Sequence, residues 1–161
     1  MKFTIRGDFA KLEAWEEEFA STNKVLEVMA RDMAEEALDL VKEGWSKQAD
    51  PYGKRWKGKK RPDGRQVLIG KTARLKGGWH VRRSGRNGFT ISPSVDYAGY
   101  HQTGTKFAPQ RAMVPFKSRG LPKPWRAAFE EIAEDHLAAH FGSKKAARMV
   151  RSGGRRSVSG G

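Results

Sequence analysis

At 161 residues, 37% hydrophobic and 31% charged, the chain has the make-up of one folded domain and not of a disordered segment. No apolar run reaches the ~18 residues of a spanning helix, the opening MKFTIRGDFA lacks the apolar stretch of a secretory signal, and no cysteine is present for a disulfide or thiolate metal site. The net charge of +14 is concentrated in residues 50–86, with 13 basic and 2 acidic side chains, and in residues 142–161, with 6 and none.

Lys2–Arg6 alternates weakly, as a short edge strand would, and Gly7-Asp8 breaks it with Asp8 as an N-cap. Phe9, Leu12, Trp15 and Phe19 then fall at helical spacing, and Ser21-Thr22-Asn23 reads as a break. Beyond it, Val25, Val28, Met29, Met33, Ala37, Leu40, Val41 and Trp45 hold the 3,4 spacing of one long amphipathic helix over residues 23–48. Its apolar stripe has to pack on its own sheet or on a neighbouring subunit. Asp50-Pro51 ends it, because proline disfavours helical geometry in the residue before it.

Residues 54–64, KRWKGKKRPDG, read as a basic loop carrying one large apolar residue, Trp56. Val67-Leu68-Ile69 leads into a single helical turn near Lys71–Leu75. Trp79–Arg83 and Phe89–Ser92 flank a stretch with Asn87-Gly88, a favoured hairpin dipeptide, so two antiparallel strands are expected. Val95–Ala98 runs into a polar segment ending at Gly104, and Met113–Phe116 could add a strand. Pro122 and Pro124 open a further helix, with Trp125, Phe129, Ile132, Ala133, His136, Leu137, His140 and Phe141 on one face and Gly142 as its stop. The expected architecture is α+β: a long N-terminal and a C-terminal helix packed on a small antiparallel sheet over residues 1–141, with a basic loop at 50–66 and a basic Gly/Ser-rich tail at 142–161.

Several chemical patterns dissolve on inspection. Gly64–Thr72 superficially matches a phosphate loop, but five residues separate its glycines where four are needed, and no strand precedes them. His136 and His140 have the i, i+4 spacing of metal ligands but lack the zincin glutamate and an evident third ligand, which suits half-buried structural histidines. His101 has no nucleophile or paired carboxylate nearby in sequence, so no catalytic residue, cofactor or metal is assigned. Lys54, Arg55, Lys57, Lys59, Lys60 and Arg61, interleaved with Tyr52 and Trp56, are the candidate nucleic-acid contact. The basic groups would neutralise phosphates and the rings could stack on bases, or the loop is merely solvated with its tryptophan packed on the domain. The sequence leaves both open.

Asp50-Pro51-Tyr52-Gly53-Lys54-Arg55-Trp56 resembles the DPxGxxW signature of the phage virion morphogenesis family, the Mu-like proteins also called tail completion protein S. Leu68–Leu75, with Thr72 and Leu75, is similar to that family's L…TGxL segment, with Ala73 in place of the usual glycine. Tyr97-Ala98-Gly99-Tyr100-His101-Gln102-Thr103-Gly104 is similar to its YAxxHQxG signature. Pro115-Phe116 stands where the family has a proline–phenylalanine pair, with Val114 where an arginine is common. The ordered set spans roughly residues 25–140.

The resemblance implies a structural virion component, not an enzyme, that acts in tail completion or in joining tails to filled heads. It implies a homo-oligomeric ring, commonly hexameric, contacting connector or neck proteins and the tail tube or terminator; in such a ring part of the basic segment 54–61, or the tail, would face a lumen through which DNA passes. Its places would be the virion neck and, during assembly, the host cytoplasm. Pro51 and Gly53 would fix a turn, Trp56 would anchor the basic loop, and Tyr97, His101 and Gln102, ahead of the motif's Gly104, would form a polar junction or subunit contact. The competing expectations are a basic nucleic-acid-binding module outside any particle and a small nuclease that would require His101.

Overall fold

The computed structural model describes residues 9–70, 72–85 and 88–142, the first eleven of these for backbone alone. The expected strand at Lys2–Arg6, the cap at Asp8, and the tail from residue 143 lie outside the described residues.

Helix α1 runs unbroken from Phe9 to Lys47, so the expected break at Ser21–Asn23 is absent. Serine, threonine and asparagine each disfavour a helix by at most about 0.7 kcal/mol, whereas true terminators are proline and glycine, which this stretch lacks. Ser21 also contributes a tertiary contact there, its Oγ lying 3.3 Å from His140 Nε2. The helix ends in a Schellman turn. The Ala49 N–H donates to the Gly44 carbonyl at 3.1 Å and the Gln48 N–H to the Trp45 carbonyl at 3.3 Å. Gln48 occupies the left-handed position usually given to glycine, at φ 53°. The stop therefore comes three residues before Pro51.

Helix α2 is the short turn Arg74–Gly77. Strands β1 (Trp79–Ser84) and β2 (Gly88–Pro93) pair antiparallel, from Trp79 opposite Pro93 to Ser84 opposite Gly88. Gly88 is thus the first residue of β2 and not a corner of a two-residue turn. Helix α3 covers Ala98–Thr103, within the polar segment that ends at Gly104. Helix α4 covers Lys123–Phe141 with Pro124 in its first turn, and Gly142 at φ 84° returns its N–H to the Ala138 carbonyl at 2.9 Å. Proline suits that first turn because its missing N–H has no intrahelical role there.

The architecture is α+β, with α1 and α4 packed on each other and α1 on the hairpin. Ala37, Val41 and Trp45 of α1 meet Trp56, Leu75, Ala98, Met113 and Trp125 in the core. Trp45 and Trp56 meet edge to face with centroids 5.3 Å apart. Trp125, Phe129 and Phe89 form a second chain of T-shaped contacts, at 6.1 and 6.4 Å, that ties α4 to β2. Such geometry adds about 0.5–1.5 kcal/mol per pair beyond area burial.

Residues 113–116, expected as a possible strand, pair with no strand among the described residues. Side chains take the place of a neighbouring strand.

Candidate functional site

The Schellman turn delivers the chain into a short antiparallel reversal, with Ala49 bridged to Arg55 and the Asp50 N–H donating to the Lys54 carbonyl at 2.8 Å. Asp50 Oδ1 accepts from the Tyr52 N–H at 3.0 Å and the Lys54 N–H at 2.8 Å, an Asx turn. Gly53 takes φ 87°, a conformation costly for any residue with a Cβ. The reversal leaves the Gln48 carbonyl accepting from the Trp56 N–H at 2.8 Å. The Gln48 side chain is held as well, donating to the Trp45 carbonyl at 2.8 Å and accepting from the Val67 N–H at 2.7 Å.

From this base, three side chains grip residues 112–116. Trp56 is buried and its Nε1–H donates to the Ala112 carbonyl at 2.9 Å. Gln102 of α3 acts as a substitute strand: its Nε2 donates to the Val114 carbonyl at 2.7 Å, and its Oε1 accepts from the N–H groups of Met113 at 2.8 Å and Val114 at 3.2 Å. The Tyr52 hydroxyl accepts from the Phe116 N–H and donates to the Gly120 carbonyl, both at 2.9 Å. Arg119 lies 3.8 Å over the Tyr52 ring. Gly104 closes α3 at φ 79°, and a Cβ there would lie 2.9 Å from the Gln110 nitrogen.

Arg111 completes the clasp from the opposite direction. It is 9% exposed, and its Nε and one terminal nitrogen donate to the carbonyls of Lys57 and Gly58, both at 2.9 Å. No carboxylate pairs with it among the described residues; burial lowers its pKa, but a guanidinium remains charged. The Arg111 N–H also donates to the His101 carbonyl at 2.7 Å. His101 Nδ1 is buried without a hydrogen-bond partner among the described residues, and its ring meets Tyr97 edge-on at 6.1 Å. Burial, and then the Arg111 charge, hold the imidazole below its ordinary pKa of 6.5.

The basic loop leaves this clasp with Lys54, Arg55, Lys57, Lys60 and Arg61 exposed. Lys59 differs, donating to Asp63 Oδ1 at 2.6 Å and so holding that carboxyl below the usual carboxylate range. Neither interleaved aromatic is free to stack on a base: Trp56 packs on the domain and Tyr52 is pinned at ring and hydroxyl. His136 Nε2 lies 2.7 Å from Asp32 Oδ2, so both helix histidines face α1. No group of three metal-ligating side chains converges among the described residues.

Asp50, Pro51, Gly53, Trp56, His101, Gln102, Gly104, Pro115 and Phe116 therefore belong to one interlocked unit or its hinges. Leu75 is a core residue outside it, and Thr72 is exposed. Gln48, Arg111 and the Tyr52 hydroxyl are clasp members that sequence reasoning missed. Arg111 had a visible signal, a lone charge entering the apolar run Ala112–Phe116. Tyr100 and Phe107, beside the clasp, are 65% and 76% exposed.

No protein-family profile matches the chain, and neither the curated proteins nor the solved structures yield a match.

Proposed function

We propose that the chain is a structural subunit of a phage neck or tail-completion ring, which joins tail to head during virion assembly and catalyses no reaction. The convergence of the family-like segments carries this reading. Residues 50–56 and 97–104 are far apart in sequence, yet Trp56 of the first and Gln102 of the second both hold the backbone at 112–114 that leads into Pro115-Phe116. A second feature agrees. Ala73 sits at φ 49°, ψ 20°, where the family's glycine would be unstrained. Trp56, Gln102 and Tyr52 spend their hydrogen-bonding groups on backbone, the behaviour of a rigid scaffold and not of a catalytic centre.

The ring is built from copies of this chain. The exposed rings of Tyr100 and Phe107 are the apolar anchors that the clasp holds out to a neighbouring copy or neck protein. Disrupting the gene in its phage should yield filled heads and finished tails that stay apart, with joining restored by the wild-type chain. Normal yields of joined particles without the chain would overturn the proposal.

A further inference from the structure

A cavity of about 160 Å³ opens between the basic reversal and the clasp, lined by Lys54, Arg55, Lys57, Asp50, Trp56, and Pro109, Gln110 and Ala112. It is well below the roughly 300–1,000 Å³ of sites for drug-sized ligands, so it suits a single small group and not a nucleoside. Its walls are fixed on both sides, by the Asp50–Lys54 backbone pair, the Trp56–Ala112 bond and the Arg111 fork on Lys57 and Gly58. Its charge is one-sided: three exposed cations line it, and buried Arg111 is bonded to the carbonyl of one of them, Lys57. The carboxylate of Asp50 is engaged by the N–H groups of Tyr52 and Lys54. Lys54, Arg55 and Lys57 pair with no carboxylate among the described residues.

We propose that this cleft is a phosphate-binding site for the backbone of double-stranded DNA, engaged without regard to sequence. Ammonium and guanidinium groups on a fixed rim match phosphate oxygens, with arginine able to grip two at once. Base recognition by stacking requires a free aromatic face, and both aromatics of the loop are committed to the fold. An acidic protein partner fits less well, because protein interfaces centre on apolar anchors and residues 54–61 expose none. Lys60 and Arg61 continue the basic track past the cleft, so one phosphate seats in it and its neighbours lie along the loop. The biological setting, DNA crossing a neck, rests on the ring reading; the binding chemistry does not.

The test is fluorescence anisotropy of the full chain with a labelled mixed-sequence duplex of ~30 base pairs, over ~50–200 mM salt. A variant carrying Lys54→Gln, Arg55→Gln and Lys57→Gln is compared with one carrying Lys42→Gln, Lys47→Gln and Lys123→Gln, which removes equal charge from the helices. The basic tail is common to all three chains. The cleft variant should lose about 0.9 in salt slope for each phosphate contact removed, roughly 2–3 in all, and bind at least about tenfold more weakly at ~100 mM salt. The helix variant should stay near wild type. The proposal fails if the cleft variant, with unchanged circular dichroism and melting, keeps the wild-type slope, or if the helix variant loses as much. It also fails if polyglutamate at equal charge displaces the duplex. Ring mass and particle incorporation are separate measurements, so loss of DNA binding leaves the ring proposal standing, and the reverse also holds.

Discussion

Gln102 makes three hydrogen bonds to two successive residues, and that concentration makes it the most informative single side chain. Gln102→Leu keeps much of the bulk but leaves two N–H groups and one carbonyl unpaired, which should cost about 2–4 kcal/mol in urea unfolding. Gln102→Glu keeps the acceptor and should cost less. Ala73 offers a change of opposite sign. Alanine pays for left-handed geometry that glycine adopts freely, so Ala73→Gly should stabilise by about 0.5–1 kcal/mol after the added freedom of the unfolded chain is counted. His101 supplies a pH dependence. Its folded-state pKa lies under the ordinary 6.5, so as pH falls the unfolded chain takes up the proton first. The contribution is complete above about 6.5 and is lost as pH drops from there toward the folded value. Melting temperature should therefore fall more steeply between about pH 7 and 5 in the wild type than in His101→Phe, where the titrating group is gone; equal slopes would contradict this.

At the scale of elements, the sequence made the regular parts visible and hid the irregular ones. The 3,4 apolar spacing of Val25–Trp45 and Trp125–Phe141, and the two short strands around Asn87-Gly88, gave α1, α4 and the hairpin, because periodic burial leaves a periodic record. The supposed break at Ser21–Asn23 shows the limit of that logic, since weak helix formers lower propensity without stopping a helix. Residues 113–116 show another limit. Their apolar character suits a strand, but their backbone partners are the amide of Gln102 and the phenol of Tyr52, with the indole of Trp56 on Ala112 just before them, which no local pattern reveals. The motif residues themselves were legible; the bonds joining them were not. Gly104 marks the seam between α3 and this segment. Gly104→Ala combines a left-handed φ with a Cβ 2.9 Å from the Gln110 nitrogen, so it should destabilise by about 1–3 kcal/mol and loosen residues 108–116 in hydrogen exchange.

Over the whole molecule, a rigid clasp carries two different surfaces. One is cationic, the reversal at Lys54–Lys57 with its cleft, and the other holds the exposed rings of Tyr100 and Phe107. Replacing Tyr100 and Phe107 together with glutamate should leave the melting temperature within a few degrees of wild type and abolish joining of heads to tails, because an exposed ring adds little to its own fold but anchors an interface. The most direct measurement counts this chain in gradient-purified virions and in head and tail intermediates by quantitative mass spectrometry. A fixed number of copies per virion, with none on unjoined heads whose necks are incomplete, is the result the ring account predicts; a chain missing from virions and from every assembly intermediate would contradict it.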